Sequence, residues 1–139
     1  MSREVYKAVI DTNILVSALL STSAESAVTI VVNKIFTTEL LPVYSSAIMS
    51  EYEQVLHRAK FKFPLEKIER LLEMIRFCGI EVHAQVSKIK LPDEDDRCFY
   101  DAAKTEGVDY LVTGNKRHFP DENFIVTAAE YLKAISWGK

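Results

Sequence analysis

The chain contains little glycine or proline, with four of each among its 139 residues. This scarcity excludes a collagen-like fibre and a low-complexity disordered chain, both of which depend on these residues. The two cysteines, Cys78 and Cys98, lack the spacing of a metal-binding cluster. We therefore expect both to be reduced and mostly buried thiols.

The sequence also lacks an excess of positive charge and a long hydrophobic run. Its 17 Lys and Arg against 20 Asp and Glu give a formal net charge of -3, which argues against a protein that coats nucleic acid non-specifically but leaves room for local contacts. No apolar run approaches the roughly 20 residues that span a bilayer. The first residues, MSREVYK, have neither the apolar core nor the small-residue cleavage site of a signal peptide. We expect a cytoplasmic protein without membrane contact.

The chain has enough hydrophobic residues to form one core, since they make up 48% of the sequence. A chain of this length buries most of the surface that its unfolded form exposes, so we predict a single domain over residues 1–139. Strand and helix patterns alternate along it, which is typical of a parallel sheet covered by helices on both faces. The predicted fold class is therefore α/β.

Individual elements follow from the spacing of the apolar residues. Helices are predicted where these recur every three or four positions, and strands where short apolar segments are bounded by polar ones. The predicted strands are 5–10, 40–44, 80–82, 110–112 and 124–126. The predicted helices are a short one after residue 13 and then 24–36, 46–58, 64–78, 92–107 and 127–135.

One stretch organises the rest, residues 5–20 (VYKAVIDTNILVSALL), in which Asp11 stands between two apolar segments. An acid between hydrophobic runs is costly unless something compensates it. The simplest account is a strand that ends at Asp11 and a helix that begins among Asp11, Thr12 and Asn13. Ligands of open α/β sheets bind at such strand ends, so Asp11 is the first candidate for a functional residue.

A second acid, Glu51, falls on the apolar face of a predicted helix. It lies three residues after Ile48 and four before Val55, on the face that Tyr52 and Ala59 also share. The alternative is a Glu at the edge of the apolar stripe whose carboxylate reaches water.

The densest acidic cluster, residues 93–96, opens the next predicted helix with Asp93 as its N-cap. Acids in a first turn are favoured by the helix dipole, so capping alone explains most of this run. Asp96 differs because it precedes Phe99 by three residues, which places it on the packed face, whereas Asp101 lies well around the helix.

Polar residues also follow the strand predicted at 110–112, where the chain continues with Thr113, Gly114 and Asn115. Parallel strands would bring this end close to Asp11, so the acids and Asn115 can converge on one cleft. Carboxylates held close together repel unless a cation lies between them. Oxygen donors without a His and Cys set favour Mg²⁺ or Mn²⁺ over Zn²⁺, and such a site suits hydrolysis of a phosphodiester bond.

Four segments together resemble the PIN-domain family and, within it, the VapC-like toxin ribonucleases. They are VIDTN at 9–13, SEYEQVL at 50–56, DEDD at 93–96 with FYDAA at 99–103, and YLVTGN at 110–115. The resemblance implies a three-layer α/β/α fold with a parallel five-stranded sheet, an acidic Mg²⁺ or Mn²⁺ site, and cleavage of single-stranded RNA. It also implies a cognate antitoxin protein as partner and a homodimer.

The family's acids correspond to Asp11, Glu51 and Asp96, which are the predicted catalytic residues and metal ligands. The fourth ligand position, often Asp in the family, is Asn115 here, and this leaves the number of metals open. Secondary candidates are acids common in relatives and polar residues that orient the acids or bound water. They are Asp93, Asp101, Thr12, Asn13 and Thr113.

Basic residues near the motifs are predicted to contact RNA phosphates, with solvated surface charge as the alternative. They are Arg58, Lys60, Lys62, Lys116 and Arg117. The histidines are predicted to be surface or packing residues rather than catalytic bases. They are His57, His83 and His118, of which His118 is the closest to Asn115.

Three alternatives assign different roles to the same residues. A phosphatase with Asp11 as nucleophile would need a second Asp where Asn13 stands, and a phospho-receiver domain would need an acid pair where only Glu4 precedes Asp11. Both fit poorly. The third is a non-catalytic PIN-like module that binds RNA or protein. Asn115 favours it, whereas acids placed on apolar faces favour catalysis.

Overall fold

Five parallel strands form the centre of the computed structural model, which describes residues 5–136. They are β1 (Tyr6–Ile10), β2 (Leu40–Tyr44), β3 (Ile80–Glu81), β4 (Tyr110–Val112) and β5 (Ile125–Val126). The order across the sheet is β3-β2-β1-β4-β5, and each neighbouring pair is parallel. The predicted parallel five-stranded sheet is confirmed.

The central strand is β1, which pairs with β2 on one side and with β4 on the other. Ala8 lies opposite Pro42 of β2 and Tyr110 of β4, and Ile10 lies opposite Val112. The chain builds one half of the sheet through β2 and β3 and then crosses back to β4 and β5. The strand order therefore reverses between β1 and β4, and the carboxyl ends at such a switch point are where open α/β sheets bind ligands.

Six α-helices within residues 5–136 connect the strands and cover the sheet. They are α1 (Thr12–Leu20), α2 (Ala27–Phe36), α3 (Ser46–Leu56), α4 (Leu65–Cys78), α5 (Arg97–Ala103) and α6 (Ala128–Ser136). Ser26 caps α2 by accepting from the Thr29 amide, and Ser45 caps α3 by accepting from the Ile48 amide. Because its cap is Ser26, α2 begins later than the predicted residue 24.

Helices and sheet bury one continuous apolar core. Ala8, Val9 and Ile10 of β1 are fully buried, as expected for a central strand that is covered on both faces. Leu15 of α1 and Tyr52 of α3 are fully buried as well. The predicted three-layer α/β/α arrangement is confirmed. In the part of the chain that the structure describes, no helix has both the length and the apolar character needed to cross a bilayer.

The start of the helix predicted over residues 92–107 is wrong. A 3₁₀ turn at Glu94–Asp96 comes first, and α5 begins only at Arg97. Asp93 acts as a cap of this turn rather than of α5, because its carboxylate accepts from the Asp95 amide at 2.9 Å. This short local hydrogen bond closes a tighter turn than an α-helix allows.

The end of the same helix is also wrong, since α5 stops at Ala103. The next amide, that of Lys104, bonds to the carbonyls of both Tyr100 and Asp101. Such a shared bond tightens the last turn, so the helix ends before Gly107. Gly107 lies outside it with a positive φ of 90°.

Ala59 does not belong to the buried face of α3, contrary to the prediction from its spacing. The helix ends at Leu56, and Ala59 opens a separate 3₁₀ turn, where it is exposed. His57 Nδ1 lies 2.6 Å from the Glu53 carbonyl oxygen, so this side chain satisfies a carbonyl at the helix end. The residues after α3 therefore form a segment of their own.

Candidate active site

Two polar side chains meet at the carboxyl edge of the sheet, where β1 and β4 end. The Asp11 amide donates to the Val112 carbonyl at 2.9 Å, which keeps the two segments paired beyond β1. The Thr113 hydroxyl donates to Asp11 Oδ2 at 2.7 Å. Asp11 is only 6% exposed, and Thr113 is fully buried. The sheet therefore holds the Asp11 carboxylate at the switch point in a fixed orientation.

The segments that follow the two strands also hold each other. Asn13 Oδ1 accepts a hydrogen bond from the Gly114 amide at 3.2 Å, and Thr113 Oγ1 accepts one from the Asn115 amide at 3.0 Å. Thr12 is buried beside them, and its Oγ1 has no hydrogen-bond partner within residues 5–136. A buried hydroxyl without a partner costs folding free energy, and this one is available to a bound water or ligand.

The pKa of Asp11 is raised to about 6, chiefly because burial removes water from its carboxylate and also because Asp96 is negative. The Thr113 hydroxyl and the amides of Thr12 and Asn13 oppose this shift. An ordinary Asp has a pKa near 4, so ionised Asp11 costs folding free energy near neutral pH. A cation beside the carboxylate would remove that cost.

Asp96 stands where the 3₁₀ turn passes into α5, and its side chain is only 16% exposed. His118 Nδ1 lies 3.1 Å from Asp96 Oδ2 and can donate to it. Burial raises the pKa of Asp96, His118 lowers it, and the neighbouring Asp93 and Asp95 raise it again. Asp96 is thus held between a histidine and other acids.

Glu51 is half-buried on α3. Its pKa is raised first by burial and then by the charge of Asp95, while Arg58 lowers it and Asp11 raises it further. Asp95 is therefore the acid that raises the pKa of Glu51 most strongly. From the sequence alone, its position in the first turn of a predicted helix is explained by capping.

Asp11 interacts electrostatically with the other two acids predicted to be catalytic. Asp96 raises the pKa of Asp11, and Asp11 raises that of Glu51. The pKa of the half-buried Cys98 is raised to about 12 by burial and then by the charges of Glu51 and Asp11. The charges of Glu51 and Asp96 thus each interact with that of Asp11 at the carboxyl edge, and Cys98 lies within range of Glu51 and Asp11.

The donors of this region are carboxylate, amide and hydroxyl oxygens, which suit Mg²⁺ or Mn²⁺. Their mutual repulsion also favours a cation, because it would lower the raised pKa of each acid. Among residues 5–136, no group of three or more His, Cys, Asp or Glu side chains is close enough to hold a metal ion. The chemistry of the donors thus fits a hard divalent cation, although within the described residues they do not form a ready-made set of three ligands.

Two of the weaker candidates lie exposed. Asn115 precedes the 3₁₀ turn Lys116–His118, and its side chain makes no capping hydrogen bond there. Asp93 is exposed and its carboxylate caps the 3₁₀ turn before α5. Neither side chain is held by a buried contact in the way that Asp11 is.

Asp101 is buried, with 7% exposure, but its contacts lie elsewhere. Its Oδ2 accepts a hydrogen bond from the Ser87 amide at 3.2 Å. Arg97, one turn earlier in α5, donates to the carbonyls of Ser87 at 2.9 Å and Ile89 at 2.6 Å. Asp101 and Arg97 therefore hold the loop after β3 against α5. Asp101 Oδ1 is buried without a hydrogen-bond partner in the described chain.

The residues predicted to contact RNA differ in their surroundings. Arg58, Lys60 and Lys62 are exposed, and the described residues contain no ion pair that involves them. Lys116, in contrast, pairs with Glu130 at 3.0 Å. Arg117 is exposed in the same turn as Lys116.

Sequence reasoning missed His118 and Asp95 as members of this region. His118 reaches Asp96 across 22 residues of chain, and its position depends on a 3₁₀ turn that no apolar spacing announces. Its nearness to Asn115 was the one available signal. Asp95 lies off the apolar face of a predicted helix, and only its place beside Asp96 pointed to it.

The fold and this region together define a class, that of parallel α/β proteins with mutually repelling acids at the carboxyl edge of the sheet. The family model of the PIN domain matches residues 7–117. The chain therefore belongs to the PIN-domain family, whose members are generally nucleases. The matched range contains Asp11, Glu51 and Asp96. No curated protein and no solved structure matches the chain.

Proposed function

We propose that this protein is an endoribonuclease that hydrolyses phosphodiester bonds of single-stranded RNA and requires Mg²⁺ or Mn²⁺. The observation that carries the proposal is the buried Asp11 carboxylate, which lies at the switch point of the sheet under repulsion from Asp96. A protein that only binds RNA gains nothing from an ionised acid in such a place, because the acid costs stability. Membership in a family of nucleases supports the reaction class.

The metal ligands in this proposal are Asp11, Glu51 and Asp96, with Asn115 adding an amide oxygen. A divalent cation bound there supplies a water of lowered pKa and neutralises charge on the phosphoryl group. Oxygen ligands alone, including a carboxylate on the longer arm of Glu51, are the set that a hard cation prefers.

Other residues position these acids. Thr113 fixes the Asp11 carboxylate through its hydroxyl, and His118 contacts that of Asp96. Partners of this kind orient metal ligands and adjust their basicity. Arg58, which follows α3 and lowers the pKa of Glu51, is the proposed contact for a phosphate that approaches the acids.

A cleavage assay on single-stranded RNA in Mn²⁺ tests this proposal. Glu51→Gln and Asp96→Asn remove one charge each at constant size, and we expect each to reduce cleavage by at least about 100-fold without loss of folding. The matched controls are Glu69→Gln on the exposed side of α4 and Asp121→Asn in an exposed loop, which should cleave like the unmodified protein. A Glu51→Gln or Asp96→Asn variant with normal turnover would remove that residue from the site.

The alternative is a non-catalytic PIN-like module that binds RNA or protein. Two observations favour it: Asn115 is exposed and uncharged, and no ready-made group of three metal-ligating side chains occurs within residues 5–136. The same assay separates the two functions. RNA binding by the unmodified protein without any metal-dependent cleavage would support the binding module.

We also propose a role as the toxin of a toxin–antitoxin pair, with an antitoxin protein and a second copy of the chain as partners. The support is the resemblance of the four motif segments to the VapC-like ribonucleases. Light scattering on the purified protein tests the homodimer, and a monomer at micromolar concentration would exclude it. Growth arrest on expression, abolished by Asp96→Asn, would support the toxin role.

A further inference from the structure

The segment that follows α3 alternates basic and aromatic residues, Lys60-Phe61-Lys62-Phe63. The rings of Phe61 and Phe63 are stacked, with centroids 5.2 Å apart and an angle of 9° between their planes. Lys60 Nζ lies 5.1 Å from the centroid of the Phe61 ring. We call Phe61 and Phe63, with Lys60 and Lys62, the aromatic-basic segment.

The backbone of this segment contains one residue in an unusual conformation. Lys62, between the two rings, has a φ of 54° in the left-handed region. A residue other than glycine adopts this conformation at a cost in free energy. Here it closes the 3₁₀ turn Ala59–Phe61, and its amide donates to the Ala59 carbonyl.

The core does not explain both rings. Phe63 is partly buried and packs against the hydrophobic core, while Phe61, also partly buried, lies over Phe63 outside the core cluster of the described residues. The neighbouring cations have no acidic partner to account for them, since Lys60 and Lys62 form no ion pair within residues 5–136. Phe61 is thus left partly exposed outside the core, beside two lysines that have no acidic partner in the described chain.

This segment is joined directly to the acidic region. Glu51 lies on α3, Arg58 follows the last residue of that helix by two positions, and the 3₁₀ turn Ala59–Phe61 begins at the next residue. A single strand with a phosphate near Glu51 could therefore pass Arg58 and continue over the aromatic-basic segment without leaving the surface.

We propose that the aromatic-basic segment is a stacking platform for the bases of single-stranded RNA beside the acidic region. Every base has a π face, so a base of any sequence can stack on the face of Phe61 that Phe63 does not cover once the flexible Lys60 side chain moves aside, and nearby Lys and Arg follow the phosphates. A duplex cannot use the platform because its base faces are already stacked. That the strand is a substrate depends on the proposed ribonuclease function, whereas its binding to the platform does not.

Binding in EDTA, where no metal-dependent cleavage occurs, tests the platform. The probes are a labelled oligouridylate of about 12 nucleotides and an abasic ribose-phosphate oligomer of equal length and charge. We expect Phe61→Leu to weaken binding of the oligouridylate about tenfold and to leave the abasic oligomer unaffected. The double variant Lys60→Gln/Lys62→Gln should weaken both oligomers. Phe77→Leu, which alters an exposed ring on α4, is the matched control and should change neither.

A second variant covers the possibility that Phe61→Leu disturbs the fold. In Phe61→Trp, the larger ring should bind the oligouridylate at least as tightly as Phe61 does. Its fluorescence, measured against the background of the chain's single native tryptophan, should be quenched by the oligouridylate and not by the abasic oligomer. Equal quenching by both oligomers, or Phe61→Leu effects that do not depend on the bases, would overturn the platform and leave the rings as a surface for a protein partner.

The outcomes for the platform and for the ribonuclease are independent. Base-dependent binding through Phe61 in a protein that cleaves no RNA would support the platform and reject the nuclease. Metal-dependent cleavage together with binding that ignores Phe61 would support the nuclease and reject the platform.

Discussion

Asp11 and Asp101 are buried to nearly the same extent, with 6% and 7% exposure, yet their surroundings are opposite. Asp11 faces other acids, and Asp96 helps to raise its pKa. Asp101 Oδ2 accepts from the Ser87 amide, and the positive charge of Arg97, one turn away in α5, interacts with this carboxylate, while Asp101 Oδ1 has no hydrogen-bond partner in the described chain. Burial and the charge of Asp96 destabilise ionised Asp11 in spite of its hydrogen bond from Thr113, whereas Asp101 interacts with the positive charge of Arg97.

This difference shows that burial alone does not identify a catalytic acid. An acid that is buried among donors contributes to the fold, and here it secures the loop after β3. An acid that is buried among acids costs folding free energy, and such a cost persists at sites where function requires it. The sign of the neighbouring charge is therefore our reason for assigning Asp11 to the proposed site and Asp101 to the fold.

The largest difference between the two aspartates should appear in catalysis. We expect Asp11→Asn to reduce RNA cleavage in Mn²⁺ by at least about 100-fold, because it removes a charge that the reaction uses. Asp101→Asn should keep the cleavage rate per folded molecule within about threefold of the unmodified protein. Initial rates on single-stranded RNA, corrected for the folded fraction, measure both. A comparable loss of cleavage in the two variants would contradict the different roles assigned to the two aspartates.

Stability should change in opposite directions. The pKa of Asp11 is raised from 3.8 to about 6, so ionised Asp11 costs up to roughly 3 kcal/mol near pH 7 without metal. Asp11→Asn should therefore raise the free energy of unfolding. Asp101→Ala should lower it by about 1–3 kcal/mol, because the Ser87 amide loses its buried partner. Urea denaturation in EDTA measures both, and destabilisation by Asp11→Asn would contradict the assignment.

The smallest effect is a pH dependence that belongs to Asp11. The folded protein holds this proton up to about pH 6, whereas the unfolded chain releases it near pH 4. The stability that protonated Asp11 contributes is therefore fully present below pH 4 and is lost as the pH rises through 6. The advantage of Asp11→Asn over the unmodified protein should be large at pH 7 and should vanish near pH 4. An advantage that does not change with pH would show that Asp11 keeps an ordinary pKa.

Much of the fold could be predicted because its signals are local. The strands Leu40–Tyr44 and Tyr110–Val112 have the predicted bounds, since each is a short apolar segment with polar residues on both sides. The helix after Pro92 could not be predicted, because one hydrogen bond from Asp95 to Asp93 decides between a 3₁₀ turn and a longer helix. The spacing of apolar residues gives no information about such a bond.

The candidate site likewise contains residues that could be predicted from the sequence and residues that could not. Asp11, Glu51 and Asp96 could be nominated because their positions relative to apolar residues are visible along the chain. The residues that hydrogen-bond to these acids lie far from them in the sequence. Thr113 reaches Asp11 across 102 residues, and His118 reaches Asp96 across 22. The burial of Asp101 was missed because it depends on the path of a loop that has no periodic pattern.

A calorimetric titration of the RNA-free protein with Mn²⁺ tests most directly whether the acids around Asp11 form a metal site. Three carboxylates more than neutralise one divalent ion, whereas two ions would leave one positive charge uncompensated, since Asn115 adds a dipole but no charge, so a second ion would depend on the phosphate of a bound RNA. We expect one measurable site in the unmodified protein and in Asp101→Asn, and none in Asp96→Asn. Two comparably tight sites in the unmodified protein, or binding that survives in Asp96→Asn, would contradict a single site built on these acids.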